Sequence, residues 1–239
     1  MKLLALDSSA VCASVCIMED GKTLGETFVH IPQTHSQTLM VTVQSLLQQI
    51  HLSVSDIDVF AVSAGPGSFT GVRIGVACVK GMAMAEEKPC VGVSTLEAMA
   101  ENCRDCTGIV CAVMDARCQQ VYNALFRAEN GTLTRLTEDR ALSIEDLAKE
   151  CTALEEPVYL VGDGASLCDT SEPFQAVSNR RLVSEQLRYQ RAGGVAAAAM
   201  KKAAAGETVS AGELNPVYLR LPQAERELKR KQKLEGSTC

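Results

Sequence analysis

The chain has 239 residues, of which 46% are hydrophobic and 22% charged, with a formal net charge of −6. That composition fits a globular protein able to bury a core as one large domain or two small ones, and argues against binding nucleic acid alone through a broad basic face. Eleven cysteines are scattered through apolar segments, so a disulfide framework is not expected.

Cys12, Cys16, Cys78, Cys90 and Cys111 stand where small core residues would stand, as reduced thiols. The apolar opening from Leu3 to Leu6 ends too soon, at Asp7, to be a signal peptide. No stretch approaches the roughly 20 apolar residues of a membrane span. The expected location is cytoplasmic.

Residues 3–6 read as a strand, followed by Asp7-Ser8-Ser9 and a second strand over 12–18. Glu19-Asp20-Gly21 is a hairpin turn, and 23–30 returns as a third strand. Thr34-His35-Ser36-Gln37 has the form of a capping box. The helix behind it, to residue 50, carries Leu39, Met40, Val43, Leu46, Leu47 and Ile50 as an apolar stripe. A strand over 57–63 leads through Gly65-Pro66-Gly67 into a helix ending near Glu86. A short strand over 90–93 follows, and Ser94-Thr95-Leu96-Glu97 caps a helix to about Cys103.

After 104–108 the pattern restarts, with strands over 109–115, 119–127 and 132–136, a helix from Ser143 to Cys151, and a strand over 158–161 that ends in Gly162-Asp163-Gly164. Two βββαβ series imply an α/β fold of two similar lobes, each with a mixed sheet and flanking helices. The first lobe is expected to hold 1–103 with about 190–222, and the second 104–189. The segment 186–205 reads as an Ala-rich helix interrupted at Gly193-Gly194, and 223–239 as a polar C-terminal tail, part frayed helix and part disordered.

The stretch from Ser63 to Val76 is the most constrained in the chain. Gly65 and Gly67 allow left-handed backbone or close approach, Pro66 sets the turn, and Ser68 or Thr70 can cap the helix. It fits either a phosphate-cradling loop or a tight corner that lets a helix pack on both sides. In that helix Gly71, Gly75, Cys78 and Met82 line one face and Val72, Val76, Val79 and Ala83 the next; only Arg73 and Lys80 are charged before Glu86. Each interior glycine costs about 1 kcal/mol against alanine, so another backbone is expected close by. One face is expected on the sheet and the other on a partner helix.

Leu4-Ala5-Leu6-Asp7-Ser8-Ser9, the block from Gly65 to Gly75, and Asn215-Pro216-Val217-Tyr218-Leu219-Arg220 together resemble the TsaB (YeaZ) family. Met114-Asp115-Ala116-Arg117 and Gln120-Val121-Tyr122 match as well, so the resemblance runs from residue 1 to about 222. These are accessory subunits of the bacterial tRNA threonylcarbamoyladenosine machinery. The resemblance implies an ASKHA fold, the actin-like and sugar-kinase-like pair of lobes. It implies a non-catalytic scaffold for threonylcarbamoyl transfer to the adenosine beside the anticodon. The implied partners are a TsaD-like catalytic subunit, a TsaE-like ATPase and, for the chain alone, a second copy, with tRNA met only through the complex. The first two helices would form the pairing surface, which puts His35, Leu39, Val43, Leu46, Phe69, Val72, Arg73, Gly75, Val76, Val79 and Lys80 in partner contact.

ASKHA enzymes cradle ATP with a glycine-containing hairpin in each lobe. Here Asp7-Ser8-Ser9-Ala10-Val11 and Asp115-Ala116-Arg117-Cys118 lack the glycine, and Cβ atoms there keep backbone N–H groups from phosphates. Only Gly162 and Gly164 retain an adenosine-type pair, readable as a cofactor site or a structural turn. No cofactor of its own is expected, and an adenine nucleotide fits only at a partner interface. Asp7 and Asp115 read as carboxylates capping the turns that follow, against a role supporting a hydrated magnesium. His30, His35 and His51 have no metal-binding spacing, so no metal is expected. Cys103-x-x-Cys106 has redox or metal spacing without a second pair and reads as coincidence. Lys201-Lys202 and the basic run from Arg226 to Lys233 read as solvated faces rather than a tRNA surface. The competing function is a free-standing ATP-dependent phosphotransferase of the sugar-kinase type.

Overall fold

The computed structural model describes residues 1–31 and 34–220; the expected tail, 223–239, and the last two residues of the 190–222 segment lie outside them. β1 (Lys2–Asp7), β2 (Ala13–Glu19) and β3 (Lys22–Val29) form an antiparallel meander. The first turn works because Asp20 and Gly21 both adopt left-handed backbone, at φ 46° and 84°. α1 (His35–Gln49) leads to β4 (Val59–Gly65), parallel to β1, and α2 (Phe69–Ala85) leads to β5 (Cys90–Ser94), parallel to β4. The sheet order is β3-β2-β1-β4-β5.

α3 (Thr95–Glu101) crosses to the second sheet, where β6 (Gly108–Asp115), β7 (Gln120–Glu129) and β8 (Thr132–Arg135) repeat the meander. β9 (Arg140–Ser143) also pairs with β7, and α4 (Ile144–Thr152) leads to β10 (Val158–Val161), parallel to β6. α5 (Ala165–Thr170) precedes β11 (Arg180–Leu182), parallel to β10. The order β11-β10-β6-β7-β8 matches the first sheet strand for strand. The repeat read from the sequence is therefore a repeat of topology, and the fold is the two-lobed ASKHA arrangement.

Alternation along the strands divides the first sheet. Leu4, Leu6, Val15, Ile17, Phe60 and Val62 face α1 and α2. Leu3, Ala5, Cys16, Ala61, Val91 and Val93 face α7 (Ala192–Ala204), which follows the short α6 (Glu185–Arg188). Each large apolar side chain so buried contributes about 1.5–3 kcal/mol.

α7 is made of small residues because it must lie close to α3. A Cβ at Gly194 would stand 2.0 Å from the Ala98 carbonyl oxygen. Gly193 and Gly194 are in the first turn of α7, so they do not interrupt a longer helix as expected. α3 serves both sheets: Ala98 faces α7, while Leu96, Met99 and Ala100, with Cys103 just beyond the helix, pack on Val110, Ala112 and Phe126 of the second. Ser94 and Ser143 cap their helices by accepting the N–H of Glu97 (3.2 Å) and Asp146 (3.0 Å). Thr34 is extended at the N-cap of α1 but its side chain makes no such bond, so the predicted capping box is not formed. Among the described residues no helix is long and apolar enough to cross a membrane.

Candidate functional site

The glycine corner is filled by the chain itself. Gly65 is left-handed at φ 122°, and a Cβ there would lie 2.2 Å from the Val217 carbonyl oxygen, while Val217 N–H donates to Ala64 O at 2.7 Å. Ser68 N–H, a candidate phosphate donor, is taken by Ser9 O at 2.7 Å. A Cβ at Gly71 would stand 2.1 Å from Ser8 O, and Ser8 Oγ donates to Gly71 O at 2.9 Å. At Gly75 it would stand 2.6 Å from Ser8 Oγ. The backbone that the α2 glycines admit is thus the loop between β1 and β2, not a partner helix. The expectation about the glycine face is corrected accordingly.

Most of the residues expected in partner contact lie inside the first lobe. Leu39, Val43, Leu46, Val72, Val76 and Val79 are each 3% exposed or less and, with Gly75, cover the sheet. The physical reason is that the densest apolar stripe on each helix goes to the sheet, whose own apolar face has no other cover. His35 is half-buried, and its Nε2 contacts Ala10 O at 2.7 Å. Arg73 Nε donates to the Tyr218 hydroxyl at 2.7 Å, with its guanidinium 3.7 Å over the half-buried Phe69 ring. Lys80 Nζ donates to Leu214 O at 3.0 Å and Gly212 O at 3.2 Å. Both cations hold the C-terminal segment along α2.

A different stripe faces outward. On α1 it shows Met40 (43% exposed), Val41 (65%) and Gln44; on α2 it shows Ala77, Gly81 and Met84 (64%), with Ile74 and Cys78 half-buried. α1 contains no Asp, Glu, Lys or Arg. A surface helix pair with so little charge is unusual for a face left to water. The signal was present in the sequence as the absence of charge on α1, but which stripe faced outward depended on the sheet.

Between the lobes lies a cleft of about 480 Å³, walled by the glycine corner, the β6–β7 hairpin, Asp163 and residues 217–220. Asp7 lies buried beside it and accepts from Ser63 Oγ (2.5 Å), Ser9 N–H (2.9 Å) and Ser9 Oγ (2.7 Å). Burial holds its carboxyl above the ordinary range despite these bonds. Asp115, at the mirrored position, accepts Arg117 N–H at 2.7 Å. Both carboxylates therefore cap the turns that follow their strands. The second turn runs left-handed through Arg117, Cys118 and Gln119 (φ 63°, 55° and 56°), a course that costs a non-glycine residue about 1–2 kcal/mol each.

Burial pushes the Asp163 carboxyl up to about 6, although Gln190 Nε2 donates to it at 2.9 Å. Arg220 donates to Ala116 O at 2.9 Å and to Gln120 Oε1, joining the C-terminal segment to the second lobe. Gly162 and Gly164 do not form an open cradle. A Cβ at Gly162 would lie 2.0 Å from Val113 O, and one at Gly164 2.9 Å from the Met114 carbonyl carbon. The pair lets this turn lie against the end of β6, as the structural-turn reading of Gly162 and Gly164 requires.

Among the described residues no group of three or more His, Cys, Asp or Glu is placed to hold a metal ion. His30 packs against Tyr189, with ring centroids 4.7 Å apart and planes tilted by 59°. Lys201 pairs with Glu101 at 2.6 Å and Lys202 with Glu97 at 3.5 Å, so both are held by α3 rather than displayed as a basic patch.

A protein-family model described as TsaD, tRNA N6-adenosine threonylcarbamoyltransferase, matches residues 30–228. The tRNA threonylcarbamoyladenosine biosynthesis protein TsaB of Escherichia coli is 33% identical over 223 residues, covering 92% of this chain and 95% of that one. Its Bacillus subtilis counterpart is 32% identical over 167 residues, covering 70% and 73%. Among solved structures, YeaZ from Pseudomonas aeruginosa superposes with a TM-score of 0.76 at 29% identity, over 91% of this chain and 99% of that one.

Proposed function

The chain belongs to the TsaB family of tRNA threonylcarbamoyladenosine biosynthesis proteins, and from that premise we propose that it is a non-catalytic scaffold for threonylcarbamoyl transfer to tRNA. Its outward α1–α2 face receives a catalytic subunit of the threonylcarbamoyltransferase kind. A second copy of the chain takes that face when the enzyme is absent, and a TsaE-like ATPase joins the assembled pair. The work is done in the cytoplasm, and tRNA is met only in the complex.

The observation that carries this reading is the exposed Met40, Val41 and Met84 on a helix pair whose two charged residues, Arg73 and Lys80 of α2, are turned to the C-terminal segment. Against autonomous catalysis stand the two turn-capping aspartates and the occupied glycine corner. No cofactor of its own enters the mechanism, and an adenine nucleotide would lie between partners. The test is deletion of the gene followed by mass-spectrometric measurement of threonylcarbamoyladenosine in tRNA. Its level should collapse and return on complementation; an unchanged level overturns the reading.

A further inference from the structure

Where α3 runs out, the chain tightens into three-residue turns. The N–H groups of Asn102, Cys103 and Arg104 return to Met99, Ala100 and Glu101, and Cys106 N–H returns to Cys103 O at 3.0 Å. Such turns eclipse side chains i and i+3 with a rise of about 2 Å per residue, so the two cysteines stand about 6 Å apart. A disulfide spans Cα separations of about 4.4–6.8 Å. The two thiols are near enough for each to perturb the other's ionisation. Cys103 is buried against the second sheet while Cys106 is half-buried. Cys111 and Cys151 are also neighbours, but both are sealed within the second core.

We propose that Cys103 and Cys106 form a reversible dithiol–disulfide site, oxidised by a low-molecular-weight disulfide such as oxidised glutathione. The Cys106 thiol, the accessible one, loses its proton and attacks one glutathione sulfur. The glutathione S–S bond breaks, and the leaving thiolate takes up a proton. The Cys103 thiol then loses its proton and attacks the Cys106 sulfur, releasing the second glutathione as a thiol. Two protein thiols are oxidised and one oxidised glutathione is reduced, with no other co-reactant.

The surroundings set the direction of this equilibrium. The pair sits at a helix C-terminus, whose carbonyls disfavour a thiolate, and burial pushes both thiols up, Cys103 to about 12. Strongly oxidising pairs owe that property to a stabilised thiolate in the reduced form. This pair has none, so its disulfide persists in an excess of reduced glutathione, and its formation is slow and accelerates with rising pH. The turn also grips the joint between lobes. Asn102 Nδ2 donates to Leu187 O and Tyr189 O, both at 3.0 Å, and Arg104 to Gly131 O at 3.0 Å. A bridge here stiffens the crossover through which the chain leaves and re-enters the first lobe.

The full chain would be equilibrated in glutathione buffers of graded ratio, alkylated, and digested with trypsin. Trypsin cuts after Arg104, so a bridge keeps residues 81–104 and 105–117 together. Fragmentation assigns the linked pair, since Cys90 and Cys111 lie in the same peptides. The 103–106 link should dominate while reduced glutathione is still in excess, form faster as pH rises, and vanish in C106S and in C103A. If the link is absent even in fully oxidised buffer, forms only after unfolding in urea, or stops at a glutathione adduct on Cys106, the proposal is overturned. Because the readout is the bond itself, a destabilised C103A does not decide the matter, and C106S, at the more exposed position, stands on its own.

Discussion

The outward face can be tested with a double substitution, Val41→Glu and Met84→Glu, which puts one carboxylate on each helix of the pair. In the isolated chain each side chain already has about two-thirds of its surface in water, at 65% and 64% exposed. Only about a third of a full burial contribution of about 1.5–3 kcal/mol is lost, or about 0.5–1 kcal/mol per site. Glutamate is also the better helix former than valine, which offsets part of that. The melting temperature should therefore move by no more than about 2–4 °C per site. At an interface the balance differs, because an enclosed, unpaired carboxylate costs several kcal/mol. A cost of only about 2.8 kcal/mol weakens association a hundredfold. Sedimentation velocity of the chain alone, and calorimetric titration with the threonylcarbamoyltransferase of the same organism, read that loss directly. A folded double variant that pairs with parental affinity in both assays would refute the assignment of this face. Gly75→Leu is not an equivalent probe. Its Cβ would begin 2.6 Å from Ser8 Oγ inside the lobe, so it should damage the fold before it reaches any partner.

Gly71→Ala should destabilise the chain by about 1–3 kcal/mol, since its methyl would meet the Ser8 carbonyl oxygen at 2.1 Å; chemical denaturation checks it, and an unchanged midpoint would mean the loop yields freely. Asp163→Asn should raise stability at neutral pH by about 2–3 kcal/mol while keeping an oxygen for Gln190 to donate to. The folded carboxyl titrates at about 6 against an ordinary 3.8, so the folded state binds the extra proton and parental stability falls as pH rises between those values. Denaturation across that window should show the slope in the parent and its loss in the variant; a parallel slope in both would exclude Asp163 as its source. Isothermal calorimetry with millimolar magnesium–ATP should give no binding heat for the isolated chain, and a saturable signal would revive the phosphotransferase reading.

The strands of both lobes were legible because alternation and turn chemistry act locally. Asp20-Gly21 supplies the left-handed backbone that a two-residue hairpin turn needs, and Leu3 to Leu6 alternate faces whatever packs on them. β9 and β11 were not legible, for the converse reason. Arg180-Arg181-Leu182 has no strand pattern of its own and is extended because β10 offers it an edge. Arg140–Ser143 is likewise ordered by pairing with β7. The same limit explains the site. α1 carries apolar residues on two stripes, Leu39, Val43 and Leu46 on one and Met40 and Val41 on the other. Helical periodicity locates both, but only the sheet chooses which is buried.

The glycine block posed the sharper question, because a phosphate loop and a packing corner require the same residue type. They differ in what occupies the space a side chain would take. A phosphate loop leaves that space open to ligand, with N–H groups converging on it. Here Val217, Ser9 and Ser8 fill the space at Gly65, Gly67 and Gly71, and Ser68 N–H is already bonded. α2 is then held by the sheet beneath it, by the Ser8 loop along its glycines, and through Arg73 and Lys80 by the C-terminal segment. With those sides engaged, the remaining surface of the helix is the uncharged one it shares with α1. A helix fixed so firmly presents that surface in one geometry, which lowers the ordering cost of docking another protein on it.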